Sequence, residues 1–466
     1  MNIENDIKDT ESSKDIKQIA DNIISPVLVS FIWWVLTNAL KNGYKKLYFL
    51  ARDGYIMYRI ALQFCARFDL PIECRYLYGS RLAWQTAVYH LIGDEKYKYI
   101  FSGGYFITPQ IILKRIRADI KQRYDIYGDI NNINVNKYKY DLSNENQALN
   151  SNNMKIFAEM LKKSRVFCEY ADRMSKKQFC DVSIYLRQEK VFDGHDIVIV
   201  DSGWTGSIQR VLRQIAEFNM INMINLKITG YYFGLYTQSG DSRDGRYEAW
   251  YFSPKSPVSL MTNFNNNVLE CMCASPFNMT VGYKFSENSE NTGDYIPVFN
   301  DSINSDNNRN NAILLNYYIE QFTADFLNND INDINFDSYS DTYLENSKKI
   351  LHRFMINPTK KEAEVFGKFK FCDDMSGAYE NTLARFADKE YLKNYTIINR
   401  FLYRVSKNII NIKKTKMQIT QKTVPDLFWF HGSLAISDLS VKNQKWYRFN
   451  YKLWDTLRLV IKKNKK

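Results

Sequence analysis

The run Asp196-Ile197-Val198-Ile199-Val200 restricts the fold of this chain more than any other stretch. Four consecutive β-branched residues with no polar alternation describe a strand buried on both faces. Such strands belong to parallel sheets with helices on either side. Lys46 to Ala51 has the same character and leads through Arg52-Asp53-Gly54 into helical spacing over 55–68. Glu73 to Tyr78 is a second such run, ending in Gly79-Ser80-Arg81. Leu226 to Leu235 is a further strand, rich in β-branched and aromatic residues, and Trp250 to Phe252 reads as an edge strand. Strand-then-helix order, repeated, predicts an α/β protein with a Rossmann-like parallel sheet.

Between 84 and 190 no strand is apparent. Helical spacing over Ile111–Arg123 and Met154–Glu189 predicts a helical insertion or cap that splits the α/β core into residues 1–83 and 191–300. Residues 301–312, rich in Asn, Asp and Ser, read as a linker. The remainder, 313–466, is mostly helical in pattern, with helices expected over 312–328, 342–355, 360–366, 388–412 and 446–463. Asn22 to Leu40 carries no charge over 19 residues. Its polar residues and the Lys41-Asn42-Gly43 stop predict a buried core helix over 22–41 rather than a membrane span.

Charge is concentrated at one end. From Arg404 onward there are 15 Lys/Arg and 3 Asp/Glu, a net of +12, which equals the net charge of the whole chain. The last helix mixes these cations with Trp446, Tyr447, Leu453, Trp454, Leu457 and Val460. That mixture fits contact with an anionic membrane face. Nucleic acid is the weaker partner, because no recognised binding motif accompanies the charge. The seven cysteines show no CxxC spacing and the four histidines are dispersed, so no zinc site is expected and the thiols are expected to be reduced. The polar, charged N-terminus shows no secretory signal. The expected location is cytoplasmic, with the tail at the inner membrane face.

Three constellations carry chemistry. Asp201-Ser202-Gly203-Trp204-Thr205-Gly206-Ser207 lies between the strand and a helix from Ile208. Backbone N–H groups so placed hold an anion, with Gly203 and Gly206 permitting close approach and Ser202, Thr205 and Ser207 adding hydroxyls. The alternative is a well-capped helix turn. Asp53 and Asp201, at the ends of two strands, would share Mg²⁺ or divide acid and base roles. Arg52 and Arg81 would clamp a phosphate, with Gly54 and Ser80 bordering the same cleft. Equally, Arg52 and Asp53 belong to an ordinary strand–helix turn. Glu270, inside the apolar run Val268 to Ala274, is either a third catalytic acid or one half of a structural ion pair.

The series LYFLARDG (47–54), RYLYGSR (75–81), IVIVDSGWTGSIQ (197–209), VLECMCASPFNMTVGY (268–283), NPTKKEAEVFG (357–367) and HGSL (431–434) resembles a bacterial family of predicted hydrolases of the haloacid dehalogenase (HAD) superfamily. The resemblance spans about 22–435. It implies a HAD-like fold and action on a phosphorylated sugar or nucleotide-sugar. It also implies a setting beside glycosyltransferases of capsule and surface-polysaccharide synthesis. Longer members carry an Asp-x-Asp nucleophile segment that does not precede residue 22 here. Aligned onto that signature, Ala51 takes the nucleophile position and Asp53 the second aspartate. Asp201 followed by Thr205-Gly206-Ser207 also resembles the ribose-phosphate loop of type I phosphoribosyltransferases, with Ser202 at the second acidic position. The readings that follow are a hydrolase or transferase, or a non-catalytic sugar-phosphate-binding scaffold.

Overall fold

The computed structural model describes residues 11–102, 107–133, 139–193, 196–219, 226, 228–238, 245–287, 294–300, 306–330, 341–371, 381–401 and 427–463. Its centre is a five-stranded, all-parallel sheet of β1 (Lys46–Leu50), β2 (Glu73–Leu77), β3 (Ile197–Trp204), β4 (Ile228–Leu235) and β5 (Arg246–Phe252). The spatial order is β2-β1-β3-β4-β5. The chain therefore leaves β1 in one direction and returns to build the sheet in the other. The carboxyl ends of β1 and β3 flank this reversal, the place where doubly wound sheets bind ligands.

The strand residues are apolar on both sides because both sides are covered. Val198 and Val200 join one core with α1 (Glu11–Lys41) and α2 (Gly54–Phe68). Ile197 and Ile199 join a second core with α3 (Arg81–Val88), α4 (Arg165–Gln188) and α5 (Ser207–Asn219). α1 begins well before the expected residue 22, because Ile16 and Ile19 extend its buried face, and it passes through one π-helical turn at Ala20–Ile24. By length and composition it could cross a membrane. Most of it is instead buried against α2 and against the helices Asp306–Asp325, Asp341–Ile356 and Lys360–Phe366.

The region 84–190 contains helices only, among the described residues. The expected 111–123 helix is two, Pro109–Lys114 and Ile120–Ile133, separated at Arg117, whose φ is +63°. The expected 154–189 helix is also broken, because the Ser164 hydroxyl accepts the Phe167 N–H and starts α4 afresh. With the first turns of α4, these helices enclose a third core around Ile112, Ile126, Phe157 and Phe167. An antiparallel hairpin, β6 (Thr280–Ser286) and β7 (Asp294–Phe299), had no clear sequence signal.

Residues 306–312 are not linker. They open α7 (Asp306–Asp325), whose Leu315 and Ile319 enter the same core as α1. Asparagine is a poor helix former. Here burial of the following apolar face outweighs that preference. Residues 301–305 lie outside the described residues. α8 (Asp341–Ile356), α9 (Lys360–Phe366) and α10 (Phe430–Ile436) follow, and Trp429, just before α10, shares this core with Phe354 and Phe366. Ser30 of α1 and Ser347 of α8 are hydrogen-bonded at 2.7 Å. α11 (Val441–Lys463) ends the described chain. The expected 388–412 helix is interrupted in its described part: Lys389–Lys393 is a short helix, 394–396 turn, and helix resumes over 397–401, while residues 402–412 lie outside the described residues.

Candidate functional site

β1 delivers Ala51, Arg52 and Asp53 to the sheet reversal, and Asp53 precedes the first residue of α2. An aspartate there would ordinarily cap its helix. Asp53 makes no such bond. Its Oδ2 instead accepts the Ser202 hydroxyl at 2.5 Å. Ser202 is available because β3 does not end at Val200, as the apolar run suggested. It continues through Trp204, paired with β4 at Gly203–Gly234 and Trp204–Leu235.

Strand alternation then sorts the side chains. Ser202 and Trp204 serve the face of α1 and α2. The Trp204 indole donates to Glu270 Oε1 at 2.7 Å, from α6 (Asn266–Met272). Asp201 serves the opposite face, where Tyr232 lies, and accepts backbone N–H groups of Ser202 and Gly203. Asp53, Asp201 and Glu270 are thus brought together around one strand end, although they approach it from two sides.

Asp53 links their electrostatics. Burial pushes the Asp53 carboxyl up, opposed by the Ser202 hydroxyl, Arg52 and Arg81. Burial, then the Asp53 charge, raises Asp201 to about 7, against the Ser202 and Gly203 N–H groups and Arg81. Burial and Asp53 likewise raise Glu270 to about 8, against Arg81, the Trp204 indole and Arg52. Near neutral pH the cluster therefore holds protons that isolated carboxyls would release. Arg52 and Arg81 are both exposed and form no direct ion pair among the described residues. Among the described residues Glu270 forms no salt bridge; its hydrogen-bond partner is the Trp204 indole.

A cavity of about 50 Å³ opens beside the acids. Arg52, Asp53, Glu270 and Ser275 line it, together with Asn308 and Arg309 of α7 and Lys370. Acids form its floor and cations its rim. Asn308, Arg309 and Lys370 were not expected at a site. Arg309 is the one cation in residues 300–312, immediately before the apolar Ala312 to Leu315, and that contrast was the available signal.

Other expected site residues have structural work instead. Ser80 caps α3 through the Ala83 N–H and donates to the Thr280 carbonyl at 2.7 Å. Gly54 lets α2 approach β1, since a Cβ there would lie 3.0 Å from the Phe49 carbonyl carbon. Gly203 (φ +111°) faces the Gly234 carbonyl, and Gly206 (φ +64°) faces the Tyr247 ring. Both glycines are small to fit protein, not ligand. Thr205, Gly206 and Ser207 do not line the cavity, and neither does Asp201.

Among the described residues no three His, Cys, Asp or Glu side chains converge to hold a metal. Mg²⁺ commonly uses one or two carboxylates and takes its other ligands from substrate phosphate and water. Asp53 fits that limited role. Asp201, on the other face, fits it less directly. No family model matches the chain, and no curated protein matches it significantly.

The raised Glu270 carboxyl has a measurable consequence for stability. A carboxyl that holds its proton more tightly when folded gives the folded state the extra proton between the two pKa values, so stability falls as pH rises through that window. For Glu270 the window runs from 4.5 to about 8. Glu270→Gln keeps an acceptor for Trp204 and removes the titration. Its stability relative to the parent should rise by about 2 kcal/mol or more between about pH 5 and about pH 8. Urea denaturation at several pH values checks this.

Proposed function

We propose that the cleft at the sheet reversal binds the phosphate of a phosphorylated sugar or nucleotide-sugar and catalyses hydrolysis or transfer there. One observation carries the reading: two arginines with no ion pair among the described residues stand beside three acids, of which Asp201 and Glu270 are each raised by the charge of Asp53, at the carboxyl ends of β1 and β3. Arg52, Arg309 and Lys370 would receive the phosphate, and Arg81 would supply longer-range positive potential. Glu270, protonated near neutral pH, would give its proton to the leaving-group oxygen. Asp53, held by Ser202, would take the proton of the attacking water or hydroxyl. Mg²⁺, with Asp53 as its protein ligand, would neutralise phosphate charge. Both sequence resemblances lead to the same ligand class. The HAD-like one adds the setting, cell-surface polysaccharide synthesis beside glycosyltransferases.

The test is a panel of sugar phosphates and nucleotide-sugars with Mg²⁺, followed by thermal shift and by release of phosphate or nucleotide. Arg52→Ala and Arg309→Ala should each weaken the responsive ligand by about tenfold or more. Stabilisation without product would make the protein a sugar-phosphate-binding scaffold. No response to any phosphorylated compound would end the proposal.

A further inference from the structure

α11 has two faces with different fates. Its inner face is docked: Tyr447 and Asn450 are buried, and the Tyr451 ring stacks on Phe430 at 4.1 Å. Asp455 faces Arg400 at 3.7 Å, and Arg448 hydrogen-bonds Asn357. Trp446, Phe449, Leu453, Leu457 and Val460 follow one another at intervals of three or four residues, which places them on one helix face. They are 52%, 64%, 37%, 44% and 40% exposed. The sequence pattern had grouped Tyr447 with this set, but the structure turns it inward.

We infer that this outer face docks on an anionic lipid bilayer. Lys442, Lys445 and Lys452 are exposed on the same helix, and residues 441–463 contain seven Lys/Arg against one acid, Asp455. That acid is turned inward to Arg400. The outward surface thus pairs an apolar stripe with uncompensated positive charge, the combination that seats a helix in the headgroup region. A tryptophan and a phenylalanine on the stripe suit that depth. A second copy of the chain would bring like charge against like charge. RNA would satisfy the lysines but leave the aliphatic stripe in water.

α11 also lies at the carboxyl end of the sheet, which carries the cleft. Asp455 lies within electrostatic reach of Tyr236, just beyond β4. The Tyr236 ring is 6.3 Å from Trp204, the residue that holds Glu270.

The test is flotation of the full chain with vesicles of phosphatidylglycerol and phosphatidylcholine, and with phosphatidylcholine alone. The parent protein should bind the first and not the second, and added salt should weaken binding. Lys445→Glu with Lys452→Glu should weaken it by roughly 25-fold or more. Phe449→Asp with Leu457→Asp should also release the protein, while Lys121→Glu on the helical insertion should change nothing. The lysine pair lies in solvent, so its loss of binding cannot come from misfolding, which circular dichroism confirms. Equal binding by the lysine variant, binding without lipid-charge preference, an RNA-only interaction, or a dimer dissociated by the stripe variant would each overturn the inference.

Discussion

Asp53→Asn will lower turnover of the responsive sugar phosphate by on the order of 10³-fold. The fold should survive, because asparagine offers Ser202 an acceptor of the same shape. The change removes the charge that raises both Asp201 and Glu270, so both should release protons at lower pH. Measured without Mg²⁺, affinity for the phosphate should stay level or tighten, since one negative charge leaves the cleft. Loss of turnover with retained binding, read by product release and by calorimetry, is the signature of a catalytic base. Unchanged turnover would remove Asp53 from the chemistry and take the proposed mechanism with it.

The second large effect is on stability. Gly203→Ala should destabilise the protein by about 3 kcal/mol or more, read as a lower urea midpoint. A Cβ at Gly203 would lie 2.3 Å from the Gly234 carbonyl oxygen, in a backbone with φ of +111°. Neither atom is the end of a flexible side chain, so β3 and β4 would have to part where Ser202 and Trp204 are aimed. Gly128→Ala is the control. It sits in the helix Ile120–Ile133 with nothing within 4 Å of the added carbon, and should stabilise by about 0.5–1 kcal/mol. If Gly203→Ala is neutral, β3 does not continue past Asp201 as described.

The strands were legible because burial on both faces leaves its mark in a few adjacent residues, as Ile197 to Val200 demonstrate. Arg52 and Asp53 were legible for a related reason: an apolar run stops abruptly at charge. The order of the strands was not legible, since parallel pairing is decided by crossovers many residues long. The extent of β3 was hidden too. Gly203 and Trp204 resemble loop residues until Gly234 and Leu235 lie beside them. The anion-loop reading of Thr205 to Ser207 followed from that shortened strand. Arg309 and Lys370 reach the cavity from helices and strands far along the chain, so no local spacing could join them to Asp53. Glu270 was found by local contrast, as a carboxylate in an apolar run, while its holder Trp204 was not.

α1 carries a consequence for how the chain is made. Ser30 meets Ser347, 317 residues later, and Ser13 meets Tyr318, 305 residues later. At typical synthesis rates that interval is on the order of 15–60 s. During those seconds an apolar helix long enough to span a bilayer has left the ribosome, while α7 and α8 have not yet been translated. Holdase chaperones and the membrane-insertion machinery both recognise such a surface. Production of soluble protein is thus a race between translation of the second half of the chain and capture of the first, and slowing translation after α2 should cost yield before it costs activity.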